Sequence, residues 1–185
     1  MVPGGPRGAG KVTDVIVRRF TEPDAKAVSD LVTETMRVSN TKDYPVETME
    51  GLIRRHQPEH ILERAGKSHF YVAEEGGVIV GCGAVGPYQG KEDESILTTI
   101  FVLPAYQGKG VGRSILEALE ADEYALRAER IVLSASITGF GFYRKLGYVY
   151  QDGRTEMDEN GLYSMEKRQG QAVPRAAAKE TGDAP

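Results

Sequence analysis

The sequence is short of several things, and each shortage closes off a class of protein. It has a single cysteine, Cys82, in 185 residues, which excludes an internal disulfide and any cysteine-built zinc site and suits a reducing compartment. No apolar run approaches the ~20 residues that a membrane span needs. Residues 1–11 are rich in Gly and Pro and contain no apolar core, so a secretory signal is not expected and a cytoplasmic location is. Positive charge is not in excess either: 23 Lys and Arg stand against 27 Asp and Glu, a net charge of −4. That leaves no general electrostatic case for nucleic acid or an anionic membrane as partner. Internal repeats are absent. What remains, 40% hydrophobic and 27% charged residues, is ordinary for a globular protein of one domain.

Residues 1–12 and 169–185 lack hydrophobic periodicity and are expected to be disordered, which leaves residues 13–168 as the folded domain. Within it, residues 15–20 read as a first strand. Thr21, Glu22, Pro23 and Asp24 form a helix-start signal, and Ala27, Val28, Leu31, Val32 and Met36 make the apolar face that follows. Turn formers at residues 39–45 break that helix. Met49, Leu52, Ile53, Ile61 and Leu62 then predict a second helical region interrupted near Pro58. Residues 70–73 and 78–85 read as a hairpin turning at Gly76-Gly77. Residues 131–136 form a buried strand, residues 140–146 a short helix stopped by Gly147, and residues 148–150 and 162–165 an antiparallel pair with a turn at Asn160-Gly161.

The stretch from residue 100 to residue 117 organises the rest. Ile100, Phe101 and Val102 read as the end of a buried strand that Pro104 must stop, since proline donates nothing to a ladder. Val111, Ile115 and Leu119 then fall on one helix face. Between them lie Gly108, Gly110 and Gly112, with Lys109 and Arg113. Glycines let a backbone approach a ligand closely, and the first N–H groups of a helix lack intrahelical partners at the positive end of its dipole. This is a site for a phosphate or pyrophosphate. It is not a Walker A loop, since no register supplies the Lys-Ser/Thr ending. A second glycine motif, Gly81-Cys82-Gly83-Ala84-Val85-Gly86, fits the dinucleotide pattern, but Pro87 and turn residues follow it where that pattern requires a helix.

Gln107-Gly108-Lys109-Gly110-Val111-Gly112 after Val102-Leu103-Pro104 resembles the cofactor turn of the GNAT acetyltransferase superfamily. Residues 136–148 resemble its second signature, with Phe142-Tyr143 and Lys145-Leu146-Gly147-Tyr148 matching, and Ser136 and Gly139 where Asn and Ala are commoner. The resemblance spans roughly residues 14–167. It implies a mixed α+β fold, a central sheet of about six to seven strands flanked by helices, whose middle strands splay apart. It implies acetyl-CoA as cosubstrate, with no metal, held by Phe101, Val102, Gln107, Gly108, Lys109, Gly110, Val111, Gly112, Arg113, Ser136 and Tyr143. The implied reaction is acetyl transfer to a primary amine by direct attack in a ternary complex. Tyr143 would protonate the departing thiolate, and a backbone N–H near Phe101 and Val102 would bind the oxyanion.

The family's common glutamate base falls on Ile96. Substitutes in this sequence are Glu94, which stands equally as a solvated acid in a turn, or a water held by Thr98 or Thr99. Asp43, Tyr44 and Tyr88 are candidate lining of the amine pocket, in loops at residues 40–47 and 87–94, with an amine-bearing small molecule or peptide as substrate. His56, His60 and His69 have no metal-ligand spacing. A homodimer is a possible assembly. The rival reading is a non-catalytic acyl-CoA-binding or regulatory domain, which Ile96 supports and Tyr143 opposes.

Overall fold

A computed structural model describes residues 15–40 and 44–168; the tails expected to be disordered, and Asp43, lie outside the described residues. Strand β1 (Ile16–Arg19) leads through a 3-10 turn (Glu22–Asp24) into α1 (Ala25–Thr35), which runs on as a π-type turn through Met36–Asn40. The start is a capping box: the Asp24 carboxylate accepts from the Thr21 N–H and hydroxyl at 2.8 and 2.9 Å. Ala25, not Ala27, occupies the buried stripe with Val28, Leu31, Val32 and Met36. Helices α2 (Val46–Arg54) and α3 (Pro58–Ala65) meet at a corner that Pro58 sets, because proline fits the first position of a helix and not its interior. The expected loop at residues 40–47 is therefore shorter than predicted, being wound as helix at both ends. Leu62, placed on an apolar face by the sequence, is exposed.

Strands β2 (His69–Glu75), β3 (Val78–Pro87) and β4 (Glu94–Val102) follow as a meander. After β4 come α4 (Val111–Glu120), α5 (Glu123–Arg127), β5 (Arg130–Ala135), α6 (Ile137–Lys145), β6 (Val149–Tyr150) and β7 (Tyr163–Arg168). Helix α5 has five residues, too short to show a period, and is held by the Asp122 carboxylate, which accepts from the Tyr124 N–H at 2.9 Å. The seven strands form one sheet in the order β1-β2-β3-β4-β5-β7-β6, antiparallel throughout except between β4 and β5. This is the mixed sheet that the resemblance implied. Among the described residues no helix is long and apolar enough to cross a membrane.

Apolar cores cover both faces of the sheet. One packs α4 and α6 against it through Ile115, Leu119, Leu133 and Tyr148; the other packs α1, α2 and α3 through Val28, Val32, Ile53, Ile61 and Phe70. The glycines of the false dinucleotide motif belong to this packing. A Cβ on Gly81 would sit 2.6 Å from Ile115 Cδ1, and one on Gly83 would sit 2.8 Å from Ile115 Cγ2 and 2.9 Å from Leu119 Cδ1. Only glycine lets α4 lie so close to β3.

Candidate active site at the opening of the sheet

Strand β4 does two things that a regular strand does not. First, its parallel pairing with β5 runs from Glu94↔Arg130 to Leu97↔Leu133 and stops there, although β4 continues to Val102 and β5 to Ala135. The two strands part, leaving a wedge. Second, its ladder with β3 passes from Ala84↔Thr98 to Cys82↔Phe101, so Thr99 and Ile100 stand opposite Gly83 alone. Thr99 has φ 54°, the left-handed region that a β-branched residue rarely adopts. The buried Cys82 thiol pins this bulge by donating to the Thr99 carbonyl at 3.3 Å. Burial pushes that thiol up to about 12, which keeps it a donor.

At the end of β4 the Leu103 N–H donates to Val80 O at 2.9 Å. Alternation along a strand then turns the Val102 N–H the other way, towards the wedge. The Gln107 amide donates to the Val102 carbonyl at 3.0 Å and to Ser39 Oγ at 3.2 Å, tying the glycine turn to the strand before it. Gly108 (φ 73°) and Gly110 (φ 93°) make the turn, and a Cβ on either would meet nothing within 4 Å, so the backbone there is open. Helix α4 starts with no side-chain cap and no acid in its first turn. Its first internal bond, Ser114 N–H to Gly110 O, leaves the N–H groups of Val111, Gly112 and Arg113 without intrahelical acceptors. Lys109 reaches over the Tyr106 ring at 5.2 Å, and Arg113 is exposed. Gly112 differs from its neighbours: its Cα faces Phe142, whose Cζ would lie 3.3 Å from a Cβ.

Helix α6 bounds the other side of the wedge. Ser136 caps it, Oγ accepting from the Gly139 N–H at 3.0 Å. Tyr143 is buried against Phe142 and Tyr148, with ring centroids 5.1 and 6.0 Å away. Its hydroxyl has no hydrogen-bond partner among the described residues, and desolvation pushes it above the ordinary range of a phenol, so it keeps its proton.

On the α3 face, beside the bulge, lies a cleft of about 510 Å³ lined by His56, Arg64, Lys67, Ser68, Gly86, Pro87, Ile96, Thr98 and Thr99. The Arg64 guanidinium donates to Thr99 Oγ1 at 3.1 Å and to the Arg55 carbonyl at 3.0 Å. His56 Nδ1 lies 2.8 Å from the Leu52 carbonyl, which can only accept, so Nδ1 carries the hydrogen and Nε2 has a lone pair. Burial holds His56 down to about 4.

A family model described as the acetyltransferase (GNAT) domain matches residues 66–150, from the end of α3 to the end of β6. Residues 66–150 carry a GNAT acetyltransferase domain. Two relatives are an uncharacterised N-acetyltransferase of Chlorobaculum tepidum, 29% identical over 73% of this chain and 76% of that protein, and an amino-acid acetyltransferase of Ralstonia nicotianae, 32% identical over 67% of this chain. The chain spans only 27% of the Ralstonia protein. Among solved structures, PaiA N-acetyltransferase of Thermoplasma acidophilum in complex with coenzyme A superposes with a TM-score of 0.72 at 19% identity. That match covers 84% of this chain and 99% of the other.

The weaker sequence candidates fall in unequal places. Glu94 does not line the cleft. Its carboxylate is committed to Arg130 at 2.9 Å and Lys91 at 3.1 Å, and Arg130 above all holds it below the usual carboxylate range, which makes it a poor proton acceptor. Tyr44 is a strut and not pocket lining: its buried hydroxyl donates to Gly161 O at 3.0 Å and accepts from the Ile137 N–H at 3.1 Å. Tyr88 sits in the β3–β4 turn beside Pro87, outside the residues that line the cleft. Ser136 has its acceptor oxygen engaged as a cap. Ile96, where the family has its glutamate, does line the cleft and leaves that wall apolar. The sequence reading missed Arg64 and gave His56 no role. Only the corner at Pro58 and the bulge at Thr99 bring them together, and neither leaves a local motif.

Proposed function

We propose that the protein transfers the acetyl group of acetyl-CoA to a primary amine, by direct attack of the amine on the thioester in a ternary complex. The observation that carries this reading is the coincidence of two openings at one strand end, the β4–β5 wedge and the uncapped, acid-free start of α4. Val111, Gly112 and Arg113 would hold the pyrophosphate on their free N–H groups, with Lys109 and Arg113 adding charge. The open side of β4 at Phe101 and Val102 would take the pantetheine amides, and Gln107 keeps the turn in register.

Three demands of the chemistry then fall to residues of this chain. The Val102 N–H, turned to the wedge, is the candidate donor to the oxyanion. Tyr143, kept as a phenol by its apolar surroundings, would donate a hydrogen bond to the departing thiolate and pass its proton there, regaining one from water before the next turnover. The amine, with a pKa of ~10 if it resembles lysine, must lose a proton before it attacks. With Ile96 in place of a carboxylate, His56 Nε2 and a water held by Thr98 or Thr99 are the candidate proton acceptors in the cleft. At about 4, His56 cannot retain a proton at pH 7 and would relay it to water.

Release of free thiol from acetyl-CoA, measured against a panel of primary amines, tests the reading. Turnover is expected with at least one amine and a rate that rises with pH towards the pKa of that amine. The rival, a domain that binds acyl-CoA without turnover, draws support from Ile96. Cofactor binding with no thiol release across the panel would establish that rival.

A further inference from the structure

The cleft beside the bulge has an electrostatic character opposite to that of the whole chain. The protein carries a net charge of −4, yet none of the nine residues lining this cleft is acidic, and two, Arg64 and Lys67, are cationic. Lys67 is exposed and paired with Glu63 at 2.6 Å, so it adds little. Arg64 differs. It is half-buried, and no carboxylate among the described residues comes within ion-pair distance of it. Both of its hydrogen bonds go to neutral oxygens, of Thr99 and Arg55, so two of its five N–H donors are used. A guanidinium taken partly out of water, with only the exposed Glu63 carboxylate acting on it from beyond ion-pair distance, is incompletely compensated, and its planar fork matches a carboxylate. His56, neutral across the physiological range, supplies no negative charge to compensate.

We propose that Arg64 binds a carboxylate on the acceptor, so that the substrate class is an amino acid or a similar amine carrying a carboxylate, and not a polyamine. This rests on the acetyl-transfer reading for the amine and on the cleft alone for the carboxylate. Position supports it: the Thr99 hydroxyl that Arg64 holds belongs to the bulge where β4 leaves β5, so a carboxylate on Arg64 puts the rest of a small molecule next to the wedge. Charge supports it as well. A diamine brings a second ammonium against the guanidinium, whereas an amino acid brings an anion within reach of its free donors. The same guanidinium disfavours the ammonium form of a nearby amine and so eases the deprotonation for which Ile96 provides no base.

The test is calorimetric titration of the full chain with single amino acids and with their amides, in the presence of saturating coenzyme A and without it, with cadaverine and putrescine in parallel. At least one amino acid should bind roughly tenfold to a hundredfold more tightly than its amide, the range expected for a charge-assisted contact. Arg64→Gln, which retains a donor for Thr99, should bring that ratio to within about twofold, and Arg64→Lys should restore part of it. A merely structural Arg64 would weaken acid and amide alike and leave the ratio unchanged, which overturns the proposal. Amides or diamines binding as tightly as the acids in wild type also overturn it. Amino acids that bind selectively without thiol release would keep the carboxylate site and sink the transferase reading. Thiol release that ignores the carboxylate would do the reverse.

Discussion

At the scale of single residues, Tyr143 and Glu94 make opposite predictions. Tyr143 is a buried residue whose hydroxyl, still in reach of solvent, has no partner in the described protein, the condition of a group whose partner arrives with the substrate. Tyr143→Phe should lower kcat about 100-fold, near the low end of what a general acid contributes, while KM for acetyl-CoA stays within about twofold. An unchanged kcat would make Tyr143 a packing residue. Glu94 has its partners already, in Arg130 and Lys91. Glu94→Gln should therefore leave kcat nearly unchanged and lower the melting temperature; a hundredfold loss of kcat would return Glu94 to the role of base. Why was one of these residues legible in the sequence and the other not? Tyr143 sits inside a motif whose spacing is local, Phe142-Tyr143 followed by Gly147-Tyr148. The neighbours of Glu94 in the sequence show only an acidic turn, but what decides its chemistry is Arg130, brought alongside by the parallel pairing of β5. The same holds for His56 and Arg64, whose shared cleft exists only after three elements have packed.

At the scale of elements, the fit of α4 against β3 is what holds the proposed cofactor turn in place. Helix α4 meets β3 where two glycines have no side chains, and its first turn is the proposed pyrophosphate site. Gly81→Ala would push a methyl carbon to 2.6 Å from Ile115 Cδ1 and to 3.2 Å from both the Phe101 carbonyl and Val111 Cγ1. We expect a loss of about 1–3 kcal/mol of stability, the usual cost of overpacking, together with a raised KM for acetyl-CoA as the helix start shifts. Ile115→Val removes the atom responsible for the shortest contact. Alone it should cost about 0.5–1.5 kcal/mol. Combined with Gly81→Ala it should restore part of the loss, so that the pair costs less than the sum of the two. Strict additivity in denaturant unfolding would mean that the helix is not seated on these glycines. The strands and long helices were readable because their apolar residues recur with the period of the element. The glycine pattern on β3 was readable as abnormal but not as helix packing, since α4 lies some thirty residues further along the chain. Helix α5 and the bulge at Thr99 left no periodic trace: one is a single capped turn, and the other is a mismatch between two strands.

At the scale of the whole molecule, the buried His56 links the cleft to global stability. It sits in the corner between α2 and α3, edge-on to Phe101 at 5.7 Å, and desolvation lowers it from 6.5 to about 4 in the folded protein. Between those values the unfolded chain binds a proton that the native protein refuses. Unfolding therefore takes up protons, and stability rises with pH through this window. The contribution is complete above pH 6.5 and is lost on acidification towards pH 4, about 3 kcal/mol in all. By pH 5 roughly 2 kcal/mol should be gone, which for a domain of this size is about 4–8 °C of melting temperature. Asp24, held at about 2 by its hydrogen bond from Arg18, adds a separate loss only below its unfolded value near pH 4, so it leaves the upper window to the histidine. Melting curves of wild type and His56→Gln at pH 7 and pH 5 isolate the effect, because every other group titrates in both proteins. Wild type should lose several degrees more than the variant between the two pH values. Equal losses would mean that His56 is solvated enough to titrate normally, and an Nε2 open to water in that way would also be free to hold a proton near neutral pH. The same pair of curves thus reports on the acid stability of the fold and on whether His56 could take the proton of the amine in the proposed reaction.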